Sequence, residues 1–274
     1  MLNYEQRKTQ AFYPTNSSLI DIPEVELDFL EYTLQPRLVS QRSDFPRASD
    51  VTRTVKIVAH QKVDGATTWI NNNISWFESI PREPYLVSLY KNNASNFPDY
   101  ERAINNHGID PVTKSFPARV GDVIDIVIQN TGADKGGLDS HPWHAHGEHY
   151  WDLGSGNGTY NATQNEAKWA NSTGHPVRRD TTMLYRYTKQ TNNGTEMGWR
   201  AWRLRITEKN VGVWMIHCHV LQHMLMGMQT VWVMGDYETL TSEVGYPDVQ
   251  GYLNFGGSVN GNATRWPSVM EYFD

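Results

Sequence analysis

The stretch GVWMIHCHVLQHMLMGM (212–228) decides how this chain folds around its most reactive side chains. Its first half, residues 212–220, has the β-branched and aromatic composition of a strand. In an extended strand, residues i and i+2 point to one face, about 6.6 Å apart, and residue i+1 points to the other. His217 and His219 therefore share one face, while Cys218, the only cysteine of the chain, faces the opposite way. One strand can thus serve two different centres.

A second histidine cluster, HPWHAHGEH, occupies residues 141–149. His144 and His146 form another same-face pair, because they are also separated by two positions. His141 precedes His144 by three residues, an odd offset. In a locally extended chain His141 therefore points with the Cys218 side.

The face of Cys218 collects a set of soft ligands. His223 and Met228 follow Cys218 by five and ten residues, a strand–loop–strand return that brings them back to the thiol. One thiolate, two imidazoles (with His141) and a thioether form the ligand set of a trigonal blue-copper electron-transfer site. Zinc accepts Cys and His but has no use for Met and no redox change. The alternative is that Cys218 and Met228 merely fill the core, in which case both histidine spacings around them would be coincidental.

From residue 50 onward, strand-like runs alternate with breaks rich in Gly, Asn and Asp. The predicted strands lie at residues 51–60, 118–130, 199–207, 212–220 and 228–236. The 118–130 run alternates imperfectly, as a half-buried strand does, and no helical period competes with the strands. We therefore predict an all-β sandwich with long loops over residues 49–238. Residues 1–48 are predicted to be a linker or the tail of a preceding domain, and residues 239–274 a loop-rich tail.

Composition bounds the partners of the chain. Its 274 residues carry a net charge of −6 and a pI near 5.9, which argues against nucleic-acid and anionic-membrane partners. Residues 211–235 lack Asp, Glu, Lys and Arg over a membrane-span length. Their histidines and glutamines are costly in lipid, so we predict buried core there and no membrane contact. A single cysteine excludes an intrachain disulfide framework.

Eight Asn-x-Ser/Thr sequons favour a glycosylated, secreted protein. They begin at Asn16, Asn73, Asn93, Asn157, Asn161, Asn171, Asn193 and Asn262. The first residues, MLNYEQRKTQAFYPTN (1–16), contain no apolar run after a basic residue, so we expect no secretory signal in them. The two expectations are compatible if the N-terminus of the precursor lies upstream.

The two histidine clusters resemble the C-terminal motifs of the multicopper oxidases, HPxHLHG and HCHxxxHxxxxM. They read HPWHAHG (141–147) and HCHVLQHMLMGM (217–228) in this sequence. The resemblance covers roughly residues 50–240 and is closest to fungal ascorbate-oxidase-like and laccase-like members. It implies that the β-sandwich is their C-terminal cupredoxin domain, a Greek-key fold.

The resemblance also implies a role for each matched position. The type 1 copper ligands would be His141, Cys218, His223 and Met228; His144 would bind the type 2 copper, and His146, His217 and His219 the type 3 pair. In this family, the type 1 copper takes electrons one at a time from a reducing substrate. The electrons pass through the cysteine to its flanking histidines, and the trinuclear cluster reduces dioxygen to water. Cys218, His217 and His219 would thus form the catalytic electron route.

The family's N-terminal domain supplies four further histidines in two His-x-His motifs, and this sequence has no counterpart of them. His60, His107 and His175 stand alone and are interpreted as structural or loop residues. We therefore predict a C-terminal part or subunit of a secreted multicopper oxidase. It would oxidise small phenol- or enediol-type reductants with dioxygen once an N-terminal multicopper oxidase domain or a complementary subunit completes the cluster.

Two other functions stay open at this point, together with one other assembly. The chain could carry only the type 1 copper as an electron-transfer protein, or be an inactive truncated remnant. A homo-oligomer that shares half-clusters ranks below a heteromeric complement. The family's HGH is replaced here by Gly147-Glu148-His149, which leaves open whether His149 supports a copper ligand. Leu221 and Gln222 replace an acidic–aromatic pair that is common in laccases of this class.

Overall fold

Strands dominate the part of the chain that the computed structural model describes, which comprises residues 32–77, 85–91 and 93–243. The strands are β1 Arg53–Asp64, β2 Ala66–Asn71, β3 Phe116–Ala118, β4 Val123–Thr131, β5 His141–Ala145, β6 Tyr150–Gly156, β7 Arg178–Arg179, β8 Thr181–Leu184, β9 Glu196–Arg205, β10 Gly212–Cys218 and β11 Gln229–Met234. The helices are short: α1 Ser40–Ser43, α2 Tyr85–Lys91, α3 Tyr100–Ile104, α4 Ala162–Ala170, α5 Leu221–Leu225 and α6 Tyr237–Glu243, with 3-10 turns at Ala48–Asp50, Asn93–Asn96 and Glu208–Asn210.

The strands form two sheets. One has six strands in the order β2-β1-β4-β9-β6-β7, and the other has five in the order β3-β11-β10-β5-β8. The pairs β1–β4 and β3–β11 are parallel, and the remaining pairs are antiparallel. Non-consecutive neighbours such as β4 and β9 show that the chain crosses between the sheets. The predicted all-β sandwich is confirmed.

The main hydrophobic core lies between the two sheets. The six-stranded sheet contributes the alternate residues Ile124, Ile126 and Ile128 of β4, and the five-stranded sheet contributes Ile216 and Trp232. Cys218 belongs to the same cluster, so the thiol face of β10 is its core face. Strand alternation then turns the neighbouring histidines of β10 away from the core.

The β4 strand differs from its prediction, since it is buried along its whole length instead of on one face. It begins at Val123, not at residue 118, because Gly121 turns the chain at φ +96°. Val127 on its second face belongs to a small buried cluster against which Phe45 and Tyr160 pack. Asp125 on that face accepts two hydrogen bonds from the buried guanidinium of Arg203, at 2.6 and 2.8 Å. An extra layer outside the sandwich therefore covers this sheet.

The segments at either end of the predicted domain contact the sandwich where they are described. Tyr32 donates a hydrogen bond to Asn165 of α4, at 2.5 Å, and Phe45 packs edge-on against Trp169. Residues 237–243, which include part of the predicted loop-rich tail, form the helix α6. Its Leu240 is buried in a small hydrophobic cluster that is separate from the main core. Residues 1–31 and 244–274 lie outside the described residues, and the domain boundaries at 48 and 239 remain predictions.

The uncharged stretch 211–235 forms β10, α5 and β11 and not one long helix. Across the described ranges, no helix has the length and apolar character needed to cross a membrane.

Candidate metal centres

Three ligand atoms converge at the C-terminal end of β10. The Nδ1 atoms of His141 and His223 lie 3.1 Å apart, and each lies 3.8 Å from the Sγ of Cys218. Pairing of β5 with β10 sets Trp143 opposite Cys218, and α5 carries His223 back to the thiol. A point equidistant from three atoms at these separations lies about 2.1 Å from each, the length of a metal–imidazole bond. The three side chains therefore fit a single metal ion.

Burial favours the uncharged form of all three groups. It lowers the pKa of His141 well below its usual range, helped by the neighbouring His223, and it lowers the pKa of His223 as well. Burial also raises the pKa of the Cys218 thiol to about 12. A cation that binds here has to displace the thiol proton. The site therefore fits an ion with high affinity for thiolate and imidazole together, as copper has.

Met228, the fourth predicted member, is held next to the thiol by the backbone. The Cys218 N–H donates to the Met228 carbonyl at 3.1 Å, and the Met228 N–H donates to the His223 carbonyl at 2.9 Å. The side chain of Met228 is fully buried in the same hydrophobic cluster as Cys218. His141, Cys218 and Met228 have no exposed surface, whereas His223 is half-buried. His223 is therefore the member through which this group reaches the surface.

A second group, the four-histidine group, lies on the side of β10 opposite Cys218. It is formed by His217 of β10, His144 of β5, and His219 and His146, which directly follow these two strands. His144 and His217 are cross-strand partners of β5 and β10, and the Nε2 atoms of His146 and His217 lie 3.1 Å apart. Neighbouring ring centroids in the group are 4.8 to 5.9 Å apart. The four imidazoles are thus close enough to share metal ions.

Hydrogen bonds to carbonyl groups orient two of these four rings. The Nδ1 of His144 lies 2.7 Å from the Asp180 carbonyl oxygen, and the Nδ1 of His217 lies 3.0 Å from the Cys218 carbonyl oxygen. Because a carbonyl only accepts, both Nδ1 atoms carry the proton and both Nε2 atoms keep a lone pair for a metal. Burial lowers the pKa of His217, which keeps its imidazole neutral as a ligand must be.

The four-histidine group opens onto the surface. A pocket of about 480 Å³ beside it is lined by His144, His146, His149 and Asp180 together with residues of the connecting turn. His219 is exposed. The two groups thus differ in access, since the Cys218 group is enclosed by core and the four-histidine group faces outward.

The sequence of residues 81–237 matches the family model described as multicopper oxidase. This chain belongs to the multicopper oxidase family. A multicopper oxidase of Gibberella zeae (aurL2) is 44% identical over 290 residues, which cover 100% of this chain and 48% of that protein. The laccase-like multicopper oxidase 1 of Thermothelomyces thermophilus is 45% identical over 269 residues, which cover 95% of this chain and 41% of that protein. The chain spans less than half the length of either relative.

More distant comparisons agree with the fold. An L-ascorbate oxidase of Cucumis sativus is 31% identical over 189 residues, covering 64% of this chain and 29% of that protein. The crystal structure of the laccase from Botrytis aclada has a TM-score of 0.50 at 19% identity, covering 81% of this chain and 34% of that chain. The predicted cupredoxin-like fold and the resemblance to the C-terminal domain are confirmed. The assignment of each residue to a copper type remains a prediction.

Trp69 is a neighbour of the Cys218 group that sequence reasoning missed. Its ring is 3% exposed, and its centroid lies 4.7 Å from that of His141 and 4.8 Å from that of His223. Trp69 lies in β2, at the edge of the other sheet, more than 70 positions before His141 in the chain. No local spacing could have indicated this contact, which depends on how the two sheets pack.

The altered turn after His146 is anchored by Glu148, the residue that displaces the family's next histidine. Its carboxylate accepts hydrogen bonds from Arg178 at 2.7 Å, from the Asn210 side chain at 3.0 Å and from the His149 N–H at 2.7 Å. Asn210 also donates to the Gly147 carbonyl, at 3.3 Å. The turn that follows a predicted copper ligand is thus tied to two other segments of the chain.

His60, His149 and Asp180 have ordinary partners. His60 contacts Thr131 at 3.1 Å and Asp134 at 3.0 Å, in agreement with a structural role. His149 is exposed, and its Nδ1 lies 3.7 Å from the Asp180 carboxylate. Within the described part of the chain, Asp180 forms no ion pair with an arginine, and Arg179 lies 3.6 Å from Asp152. Arg178 pairs with Glu148 instead.

Proposed function

We propose that this chain is the C-terminal copper-binding part of a secreted multicopper oxidase. It would accept electrons from small phenol- or enediol-type reductants at the Cys218 group and deliver them to dioxygen at the four-histidine group. When bound, copper supplies reversible one-electron transfer at the first group and reduction of dioxygen at the second. The chain spans 48% and 41% of the length of two fungal relatives. This coverage supports the proposal that a further domain or subunit takes part in the oxidase.

The observation that carries the proposal is the single strand shared by both groups. Cys218 faces the core with His141 and His223, and the adjacent His217 belongs to the four-histidine group on the other side of the strand. The thiol and the imidazole are one peptide unit apart, and the His217 Nδ1–H also donates to the Cys218 carbonyl. The protein thus provides a short covalent route and a hydrogen-bonded route between the two groups.

The surface around His223 supports electron entry at the Cys218 group. His223 is half-buried, and α5, which contains it, exposes the apolar side chains of Leu221 and Leu225 by 63% and 50%. Gln222 between them is also exposed. This apolar surface suits a small aromatic or enediol reductant, which needs only to approach the imidazole edge to transfer an electron.

The open four-histidine group supports the need for a complement. In the family, eight histidines bind the trinuclear cluster. This group supplies four, of which His144 and His146 line the open pocket beside it. A complementary domain or subunit with two His-x-His motifs would close the pocket and exclude bulk water from it. We therefore infer that the isolated chain does not reduce dioxygen to water.

Secretion and glycosylation belong to the same proposal. The sequon asparagines Asn73, Asn157, Asn161, Asn171 and Asn193 are all exposed, as glycan attachment requires. Asn16 and Asn262 lie outside the described residues. Expression in a eukaryotic secretory host, followed by glycopeptide mass mapping, tests this part, and unmodified asparagines at all of these positions would contradict it.

Copper reconstitution tests the electron-accepting site. Wild-type chain loaded with Cu(II) should develop an intense visible thiolate-to-copper band, and Cys218→Ser should lose it. A colourless wild-type protein with copper bound at the Cys218 group would refute the type 1 assignment. Oxygen uptake should then require the complementary N-terminal part, so that rapid oxygen consumption by a demonstrably monomeric chain would refute the half-site.

Copper stoichiometry separates this proposal from the two alternatives. The assembled enzyme should contain about four coppers, an electron-transfer protein one per chain, and an inactive remnant none. The enclosed Cys218 group is complete within the chain, which is the observation that keeps the electron-transfer function as the second candidate.

A further inference from the structure

Trp69 contacts both imidazoles of the Cys218 group from the opposite sheet. Its indole meets the His141 ring edge-on, at 80° between the planes, and the His223 ring at a tilt of 44°. The His141 and His223 rings themselves lie 5.0 Å apart and are tilted by 59°. The three rings therefore form one packed cluster, in which neither imidazole can rotate freely without displacing the indole.

The backbone of Trp69 is fixed to the loop that carries His223 and Met228. The Trp69 N–H donates to the Met226 carbonyl at 2.8 Å, and the Trp69 carbonyl accepts from the Ser75 hydroxyl at 2.7 Å. Gly227 passes so close that an added Cβ would lie 2.8 Å from the Trp69 carbonyl oxygen, and its φ is +104°. The position of the indole is thus set against the ligand loop, independently of any metal.

His223 needs such a support more than His141 does. His141 is fixed within β5, between strands β10 and β8. His223 lies in α5, a helix of five residues that has no side-chain cap, and its own side chain is half-buried. Among the described residues, the indole and His141 are the two rings that pack against the His223 ring. The indole therefore restricts how the His223 ring can turn relative to the other two ligand atoms.

We propose that Trp69 is a positioning residue for the type 1 copper. By packing against both imidazoles, it holds their Nδ1 atoms toward a common point before the metal binds. This inference rests on the proposed function, because it needs copper at the Cys218 group. It adds a residue from outside both histidine motifs and gives it a role that differs from filling the core.

Trp69→Leu and Trp69→Phe, made in the full chain, test the proposal beside a matched control. The control is Trp232→Phe, because Trp232 is also buried, belongs to the same core cluster and stacks on Phe116 at 4.8 Å instead of on a histidine. Each variant is reconstituted with Cu(II). The measurements are the visible band and its intensity ratios, the copper hyperfine splitting by electron paramagnetic resonance, copper affinity by competition and the thermal unfolding midpoint.

We expect Trp69→Leu to weaken copper binding by about ten- to a hundredfold, because this is the usual effect of removing a group that orients a metal ligand. The intensity ratios of the visible band and the copper hyperfine splitting should also change. Trp69→Phe should recover part of both losses, because a phenyl ring restores some of the packing. Trp232→Phe should lower the unfolding midpoint while leaving the copper spectrum and affinity at wild-type values.

The outcomes distinguish this inference from the function on which it rests. A wild-type spectrum and affinity in both Trp69 variants would overturn the positioning role while leaving the type 1 site intact. Equal spectral changes in Trp69→Phe and Trp232→Phe would also overturn it, since a general loss of packing would then explain both. A wild-type chain that binds copper without a blue band would overturn the proposed function and this inference together. If Trp69→Leu does not fold, Trp69→Phe against Trp232→Phe decides the question.

Discussion

Removing the Glu148 carboxylate should release the turn that follows His146 and weaken metal binding at the four-histidine group alone. Glu148 accepts hydrogen bonds from Arg178, Asn210 and the His149 N–H. In Glu148→Ala, Arg178 keeps its contact with the His149 carbonyl, at 2.8 Å, but loses its counter-ion. The turn would then be held by two bonds to its carbonyl groups, from Arg178 to His149 and from Asn210 to Gly147.

The size of the effect follows from burial and from the number of bonds. The Glu148 and Arg178 side chains are 26% and 18% exposed, so solvent screens the ion pair only in part. Three hydrogen bonds to a carboxylate, discounted for this exposure, correspond to about 2 kcal/mol of unfolding free energy. For a chain of this size, that is a fall of roughly 4–8 °C in the unfolding midpoint. Metal affinity at the four-histidine group should fall by about tenfold, because the turn orients His146.

The assay compares Glu148→Ala with Glu196→Ala, whose carboxylate pairs with Lys56 on the six-stranded sheet at a similar exposure of 31%. Both variants are titrated with Cu(II), and the visible band separates the Cys218 group from the colourless second site. Glu148→Ala should keep the blue band at wild-type intensity and lose affinity in the second binding phase. Glu196→Ala should lose only stability. If Glu148→Ala loaded the second site like the wild type, the anchoring role of Glu148 would be wrong.

Two further predictions concern the two faces of β10 and the pH dependence of folding. In the assembled enzyme, His219→Ala should keep the blue band and its reduction by substrate but lose reoxidation by dioxygen. His223→Ala should disturb the blue band and leave the copper content of the cluster unchanged. Loss of the band in His219→Ala with reoxidation intact would refute the two-face arrangement. Burial alone would raise the pKa of Asp110, but hydrogen bonds from Arg102 and from backbone N–H groups outweigh it and lower the pKa to about 2. The ionised Asp110 carboxylate therefore stabilises the folded state fully above its unfolded-state pKa near 3.8, and this stabilisation is lost as the pH falls toward 2. Asp110→Asn should lower the free energy of unfolding by about 2 kcal/mol at pH 7. It should also flatten the dependence of the thermal unfolding midpoint on pH between these two values. An unchanged dependence would contradict the contribution of this carboxylate.

The sequence could predict the parts of the site that depend on local spacing. The i, i+2 separation in His217-Cys218-His219 is enough to put the thiol and the imidazoles on opposite faces, since strand geometry has a period of two. The returns of His223 and Met228 to the thiol are also short-range, within ten residues of Cys218. The structure brings all of these residues into the predicted neighbourhoods, and their metal ligation still awaits the copper experiments above.

The parts that the sequence could not predict depend on contacts between distant segments. Trp69 reaches the imidazoles only because β2 lies at the edge of the opposite sheet, next to the loop that ends in Met228. Glu148 finds Arg178 about 30 residues away and Asn210 more than 60 residues away. The burial of both faces of β4 requires Phe45, from a segment whose pattern predicts no regular element. Each contact is set by sheet packing and not by a period in the chain.

The register of β10 links the stability of the fold to the proposed electron route. Six residue pairs bind β10 to β11 and three bind it to β5, so the strand is paired on both sides. A slip by one residue would exchange its faces, turning the Cys218 thiol outward and driving His217 and His219 into the apolar core. Burying two imidazoles without partners costs several kcal/mol, which makes the slipped register a minor state. The same pairing that stabilises the sandwich therefore keeps the thiol and the four-histidine group on opposite sides of one strand. A variant that loosens this pairing should weaken copper binding at both groups together.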